Sequence, residues 1–137
     1  MAAKVRPVEY FYAIVEDRPG VAYGFLKDLA SAEISLLAFN AIPLGMEKTE
    51  LVLFPEETSR LARAAEKLGL MLRGPHRAFL IQGDDELGAL VEMHRKLADA
   101  KVNVLSSSGV TDGRGGYGYI VYVRGEDFDA AARTLGV

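Results

Sequence analysis

The residues Glu16-Asp17-Arg18-Pro19-Gly20-Val21 carry the chemistry most legible in this chain. Such a turn opens a helix and leaves backbone N–H groups unpaired at the helix's positive end, a seat for a small anion or a carboxylate. Glycine at position 20 lets a ligand approach the backbone, because a side chain there would block it. Asp17 is placed either to cap the helix or to pair with a ligand amine. The same turn also reads as a plain helix start that binds nothing. In either case the chemistry is that of binding rather than bond cleavage.

The turn recurs as Asp85-Glu86-Leu87-Gly88, a shift of 68 residues from Gly20 to Gly88. That shift also pairs Asp17 with Asp85, Phe25 with Met93, Leu29 with Leu97, Ala32 with Ala100 and Ile34 with Val102. A shift of 67 pairs Leu61 with Phe128, Ala65 with Ala132, Leu68 with Leu135 and Gly69 with Gly136. An acid, a glycine and two helical stripes recurring in order mark two copies of one unit.

The elements that hold these turns follow from periodicity. Val8-Glu9-Tyr10-Phe11-Tyr12-Ala13-Ile14-Val15 is aromatic and β-branched, as a strand is. Val21, Ala22, Phe25, Leu26 and Leu29 fall on one helical stripe. The first unit reads strand 8–15, helix 20–33, strand 34–42, strand 48–54, helix 57–69 and a short strand 70–73. Pro43-Leu44-Gly45 marks a turn, Pro55 with Glu56 and Glu57 opens the second helix, and Gly69 closes it. Gly74-Pro75 breaks the chain between units 1–74 and 75–137. The second unit reads strand 77–82, helix 88–101, strand 102–108, strand 117–123 and helix 126–135. The fold class is α+β: two ferredoxin-like βαββαβ units in tandem, antiparallel sheets with helices on one face, the second lacking its last strand.

These residues identify a resemblance. Val15-Glu16-Asp17-Arg18-Pro19-Gly20-Val21 and Leu29-Ala30-Ser31-Ala32-Glu33-Ile34-Ser35-Leu36 are similar to the D-x-P-G-V turn and L-A-x-x-x-I-N-I helix end of the ACT domain, a regulatory module of amino-acid metabolism. The second copy is similar through Asp85-Glu86-Leu87-Gly88 and Leu97-Ala98-Asp99-Ala100-Lys101-Val102-Asn103-Val104. It departs by Leu87 where proline is usual, and the first copy departs by Ser35 where asparagine is common. The resemblance implies paired sheets and a small ligand, often an amino acid, near the first turn and the start of the second strand. The implied ligand-binding residues are Asp17, Arg18, Pro19, Gly20, Val21 and Ser35 in the first copy, and Asp85, Leu87, Gly88 and Asn103 in the second.

Composition narrows the field. The 137 residues are half hydrophobic and 26% charged, with a formal net charge of −3 and no cysteine. This excludes disulfides and thiol chemistry and gives no electrostatic reason to expect nucleic acid. No apolar run reaches the length of a membrane span and the start lacks a signal-peptide core, so the default compartment is the cytoplasm. Asp84-Asp85-Glu86 suits a helix dipole better than a metal, and no metal or cofactor is expected. His76 reads as a linker residue. His94 takes the place of Leu26 in the repeat and is expected to be partly buried. Ser106-Ser107-Ser108 lacks a nucleophile-elbow context, and Thr111-Asp112-Gly113-Arg114-Gly115-Gly116 lacks a Walker ending and reads as a flexible loop.

The expected function is therefore a non-enzymatic regulator or sensor of a small ligand, an amino acid first among candidates, acting on an enzyme in trans. The alternative is a protein–protein interaction module with empty turns. A homodimer is expected because the second unit leaves strand 77–82 as an apolar edge. Strand 70–73 folding back, the N-terminal residues reaching across, or a second chain could each cover that edge, and the second chain is favoured.

Overall fold

The computed structural model describes residues 3–137. Six strands and four helices follow in the order β1 (Lys4–Glu16), α1 (Val21–Ser31), β2 (Leu36–Gly45), β3 (Lys48–Pro55), α2 (Thr58–Leu68), β4 (Arg73–Asp84), α3 (Val91–Asp99), β5 (Ser106–Thr111), β6 (Gly116–Tyr122) and α4 (Phe128–Leu135), the last preceded by a 3-10 turn, Gly125–Asp127. The strands hydrogen-bond in the order β2-β3-β1-β4-β6-β5. The class is α+β with an antiparallel sheet, as the sequence predicts.

The chain forms two compact units. One is contiguous, Glu9–His76; the other is split, with Arg77–Val137 completed by the start of the chain through Val8. Strands β1 and β4 therefore each contribute one stretch to each unit. In the contiguous unit, residues 73–76 lie along β1: Gly74 sits against Tyr10 and Phe11, and the His76 ring stacks on Tyr12. In the split unit the strand beside β4 is the start of β1, and Val5 packs into that unit's core.

This corrects four expectations. The boundary between 1–74 and 75–137 does not describe the units, since residues through Val8 belong with the second. The second unit does not lack its closing strand, which comes from the other end of the chain. Strand 77–82 is not an edge, because β4 lies between β1 and β6. Gly74-Pro75 does not end a strand either; β4 runs from Arg73 through both residues. Glycine is needed at 74, where φ is 134° and a Cβ would lie 2.8 Å from the Tyr10 carbonyl oxygen.

Each unit has its own core. In the contiguous unit Phe11 (β1), Leu29 (α1), Leu53 (β3) and Leu61 (α2) are buried together. In the split unit Phe79 and Ile81 (β4), Met93 and Leu97 (α3), Tyr119 and Val121 (β6), and Phe128 (α4) do the same work. The predicted repeat is visible in the caps. Gly69 and Gly136 both adopt the left-handed conformation, φ 70° and 82°, and close α2 and α4. The next amide then folds back in both units, Leu70 to the Ala65 carbonyl and Val137 to that of Ala132, each at 2.9 Å.

Candidate functional site

Each unit places its Asp-containing turn between a strand end and a helix start. In the contiguous unit the Asp17 N–H donates to the Glu47 carbonyl at 2.8 Å. Glu47 belongs to the two-residue turn Met46-Glu47 that joins β2 to β3, so the turn falls just beyond the expected Pro43-Leu44-Gly45. In the split unit the Asp85 N–H donates to the Gly115 carbonyl, also at 2.8 Å. Both acceptors are related by the 68-residue shift, so the same backbone latch is built twice.

The helix starts repeat as well. Gly20 and Gly88 both have positive φ, 91° and 73°. Val21 N–H reaches the Arg18 carbonyl at 3.4 Å, and Ala89 N–H the Glu86 carbonyl at 3.1 Å. Neither helix receives a side-chain cap, so Asp17 and Asp85 do not cap, contrary to one of the two roles expected for them. Among the described residues, Ala22 and Tyr23 N–H make no hydrogen bond within the chain, and the same holds for Leu90 and Glu92. Such orphan donors at a positive helix end favour an anionic group. The α3 helix begins at Val91, three residues beyond the predicted start, because Gly88-Ala89-Leu90 form a turn first.

A hollow opens beside each turn. In the contiguous unit it measures about 340 Å³ and is lined by Asp17, Arg18 and Val21, with Ala41, Thr49 and Leu51 on the strands. Glu16, also on its wall, is tied to Lys48 at 2.9 Å, and this hydrogen bond holds its carboxyl below the usual range. In the split unit the hollow measures about 410 Å³ and is lined by Asp85, Glu86 and Gly88, with Gly109, Tyr117 and Tyr119 on the strands. Burial, reinforced by the Glu86 charge, pushes the Tyr117 hydroxyl up, so it stays protonated at neutral pH.

The predicted site residues do not all meet. Asp17, Arg18 and Val21 line one hollow, Asp85 and Gly88 the other. Pro19 and Gly20 shape the first turn without lining its hollow, and Leu87 projects fully into solvent. Ser35 lies beyond the far end of α1, a helix of 11 residues and so about 16 Å from its turn. It lines a separate small recess with Glu56, Glu57 and Arg60. Asn103 is exposed beyond the far end of α3 and borders neither hollow.

Sequence reasoning missed one pair. His94 Nε2 and the Tyr119 hydroxyl lie 2.8 Å apart; Tyr119 lines the split unit's hollow, and His94, outside its lining, is half-buried as expected. Extending the 68-residue shift to the strands would have exposed it, because His94 and Tyr119 replace Leu26 and Leu51.

The glycine-rich loop before β6 is held rather than loose. The Asp112 carboxylate accepts the N–H groups of Arg114 (2.6 Å) and Gly116 (3.0 Å), which holds its carboxyl below the usual range. Asp112→Ala should therefore speed amide exchange at Arg114 and Gly116, measured by NMR at neutral pH. A depressed pKa stabilises above the unfolded value and loses that effect as pH falls through the folded one. The wild-type loop should then approach the variant's exchange behaviour in acid.

By sequence, the chain matches no protein-family profile and no curated protein. By structure, it superposes on protein BT0572 from Bacteroides thetaiotaomicron with a TM-score of 0.82 at 13% identity, covering 96% of this chain and 88% of that one. It also superposes on the regulatory subunit of aspartate kinase from Thermus flavus (TM-score 0.67, 14% identity, 99% and 95% covered). The corresponding subunit from Thermus thermophilus, in its ligand-free form, gives 0.67 at 15% identity with the same coverage. At these identities the likeness establishes the fold, and it extends over nearly the whole of each chain.

Proposed function

We propose that this chain, which has the ACT-type fold of those regulatory subunits, is a non-enzymatic sensor that binds a small ligand at its strand-to-helix turns. An amino acid is the ligand class the site suits: orphan N–H donors for a carboxylate, and Asp17 or Asp85 for an amine. The observation that carries this reading is the duplication. The same latch, the same positive-φ glycine and a hollow beside them occur in both units, although among the matched wall positions only Asp17 and Asp85 agree in residue type. The structural neighbours described as regulatory subunits support the same class of role.

The output is an effect on a separate enzyme, and the compartment is the cytoplasm. A homodimer remains part of the proposal, with its edge revised. Since β1 covers β4, pairing with a second chain would use β2 or β5, the outer strands of the sheet order.

The test is a thermal-shift panel of the twenty amino acids, one at a time. A ligand at a hundred times its Kd stabilises by about 2.7 kcal/mol. For a chain of this size that raises Tm by roughly 6–10 °C. No shift from any amino acid would favour the interaction module instead. Gly20→Val and Gly88→Val, each checked for folding, then report which turn is used: the variant of the occupied turn should lose the shift.

A further inference from the structure

The two hollows share a backbone latch and differ at most matched wall positions; two of these differences, with a third on the helix beside them, bear on one another. In the contiguous unit Ala41 on β2 faces Leu51 on β3, and both line the hollow. In the split unit the same register brings Gly109 on β5 opposite Tyr119 on β6, and both line the hollow. The helix position that is Leu26 in the first unit is His94 in the second.

These three changes act together. Tyr119 is 6% exposed, so its hydroxyl must be satisfied inside the fold, and His94 supplies the bond at 2.8 Å. The ring has room because residue 109 is glycine: a Cβ there would lie 2.8 Å from Tyr119 Cδ1. A tyrosine hydroxyl has one donor and two acceptor positions, and the bond to His94 uses one of them. Tyr119 makes no other side-chain hydrogen bond among the described residues. Leu51, fully buried at the matched position, offers no polar atom at all.

We propose that the split unit's hollow selects a ligand with a polar terminus, an uncharged hydroxyl or amide amino acid, through the Tyr119 hydroxyl that His94 holds in place. This rests on the reading of the hollows as amino-acid seats. Tyr119 is the group that tells a hydroxyl or amide from a methyl of the same shape, and His94 is a positioning residue. The contiguous hollow has Leu51 at the matched position and so lacks that particular group. The two carboxylates on the split unit's wall, Asp85 and Glu86, stand where they would repel an acidic side chain.

Calorimetry with two near-isosteric pairs tests this: threonine against valine, and asparagine against leucine. Wild-type protein should bind the polar member of at least one pair about tenfold or more tightly, the scale of one buried hydrogen bond. Tyr119→Phe keeps the ring and should reduce that ratio to near one. His94→Leu combined with Tyr119→Phe restores the apolar chemistry of the first unit and should do the same without an unpaired imidazole. A merely structural role would lower stability and weaken both members of a pair equally. Equal wild-type binding within both pairs, or a ratio that survives Tyr119→Phe, overturns the assignment while leaving the ligand-sensor reading intact. No binding by any of the four, with no response in the wider amino-acid panel, overturns both.

Discussion

Removing residues 3–8 is expected to unfold the split unit. Those residues are far from Arg77 in sequence, yet they form the strand beside β4, with Val5 packed into the core of Phe79, Ile81 and Tyr119. Val8, at 8% exposure, is buried. Losing one buried and one half-buried valine forfeits about 2–4 kcal/mol of apolar burial. The ladder bonds to β4 and the shelter of an apolar strand edge are lost too. Domain stability is only about 5–15 kcal/mol, so the loss is a large share of it. Chemical denaturation with far-UV circular dichroism should show a non-native or strongly destabilised chain. The same logic predicts that a 75–137 fragment alone does not fold. Appending residues 3–8 after Val137 through a short glycine-rich linker should rescue it, since the unit then has its strands in simple βαββαβ order. A 75–137 fragment that folds without them would refute the exchange of strands.

Phe79→Ala should be the most damaging single substitution in the split unit. Phe79 is fully buried, and its ring stacks on Phe128 at a centroid distance of 4.5 Å and an interplanar angle of 7°. The Arg77 guanidinium lies over the other partner, 3.9 Å from the Phe128 centroid. Truncation opens a cavity between β4 and α4 and strands this stack, costing about 3–5 kcal/mol. Phe79→Leu fills much of the space and should cost less than half as much. Urea midpoints for the two variants, at unchanged m-value, decide it. A loss under about 1 kcal/mol for the alanine variant would show that the core collapses to fill the gap.

The amino-acid sequence by itself determined the local units and their repetition. Alternating aromatic and β-branched residues marked β1, the Leu29 stripe marked α1, and Gly69 and Gly136 marked the ends of α2 and α4. Each depends on neighbours within a few residues, where period and backbone preference act directly. The turn at Asp17-Arg18-Pro19-Gly20 was legible for the same reason, and its partner at Gly88 through the repeat. What only the tertiary structure decided was which strand lies beside which. Nothing in Lys4-Val5-Arg6-Pro7-Val8 distinguishes an extension of the first unit's strand from the closing strand of the second. That choice is set by β4 offering an apolar edge which the start of the chain is long enough to reach. Ser35 and Asn103 entered the site through the resemblance alone, whereas the helices read before them already carry them to the far end of each unit from its turn. The His94–Tyr119 pair joins a helix to a strand 25 residues away, and Gly109 makes room for it from a third element. Side-chain partners of that kind are fixed by packing geometry, not by local pattern, and so they emerge only when the chain has folded.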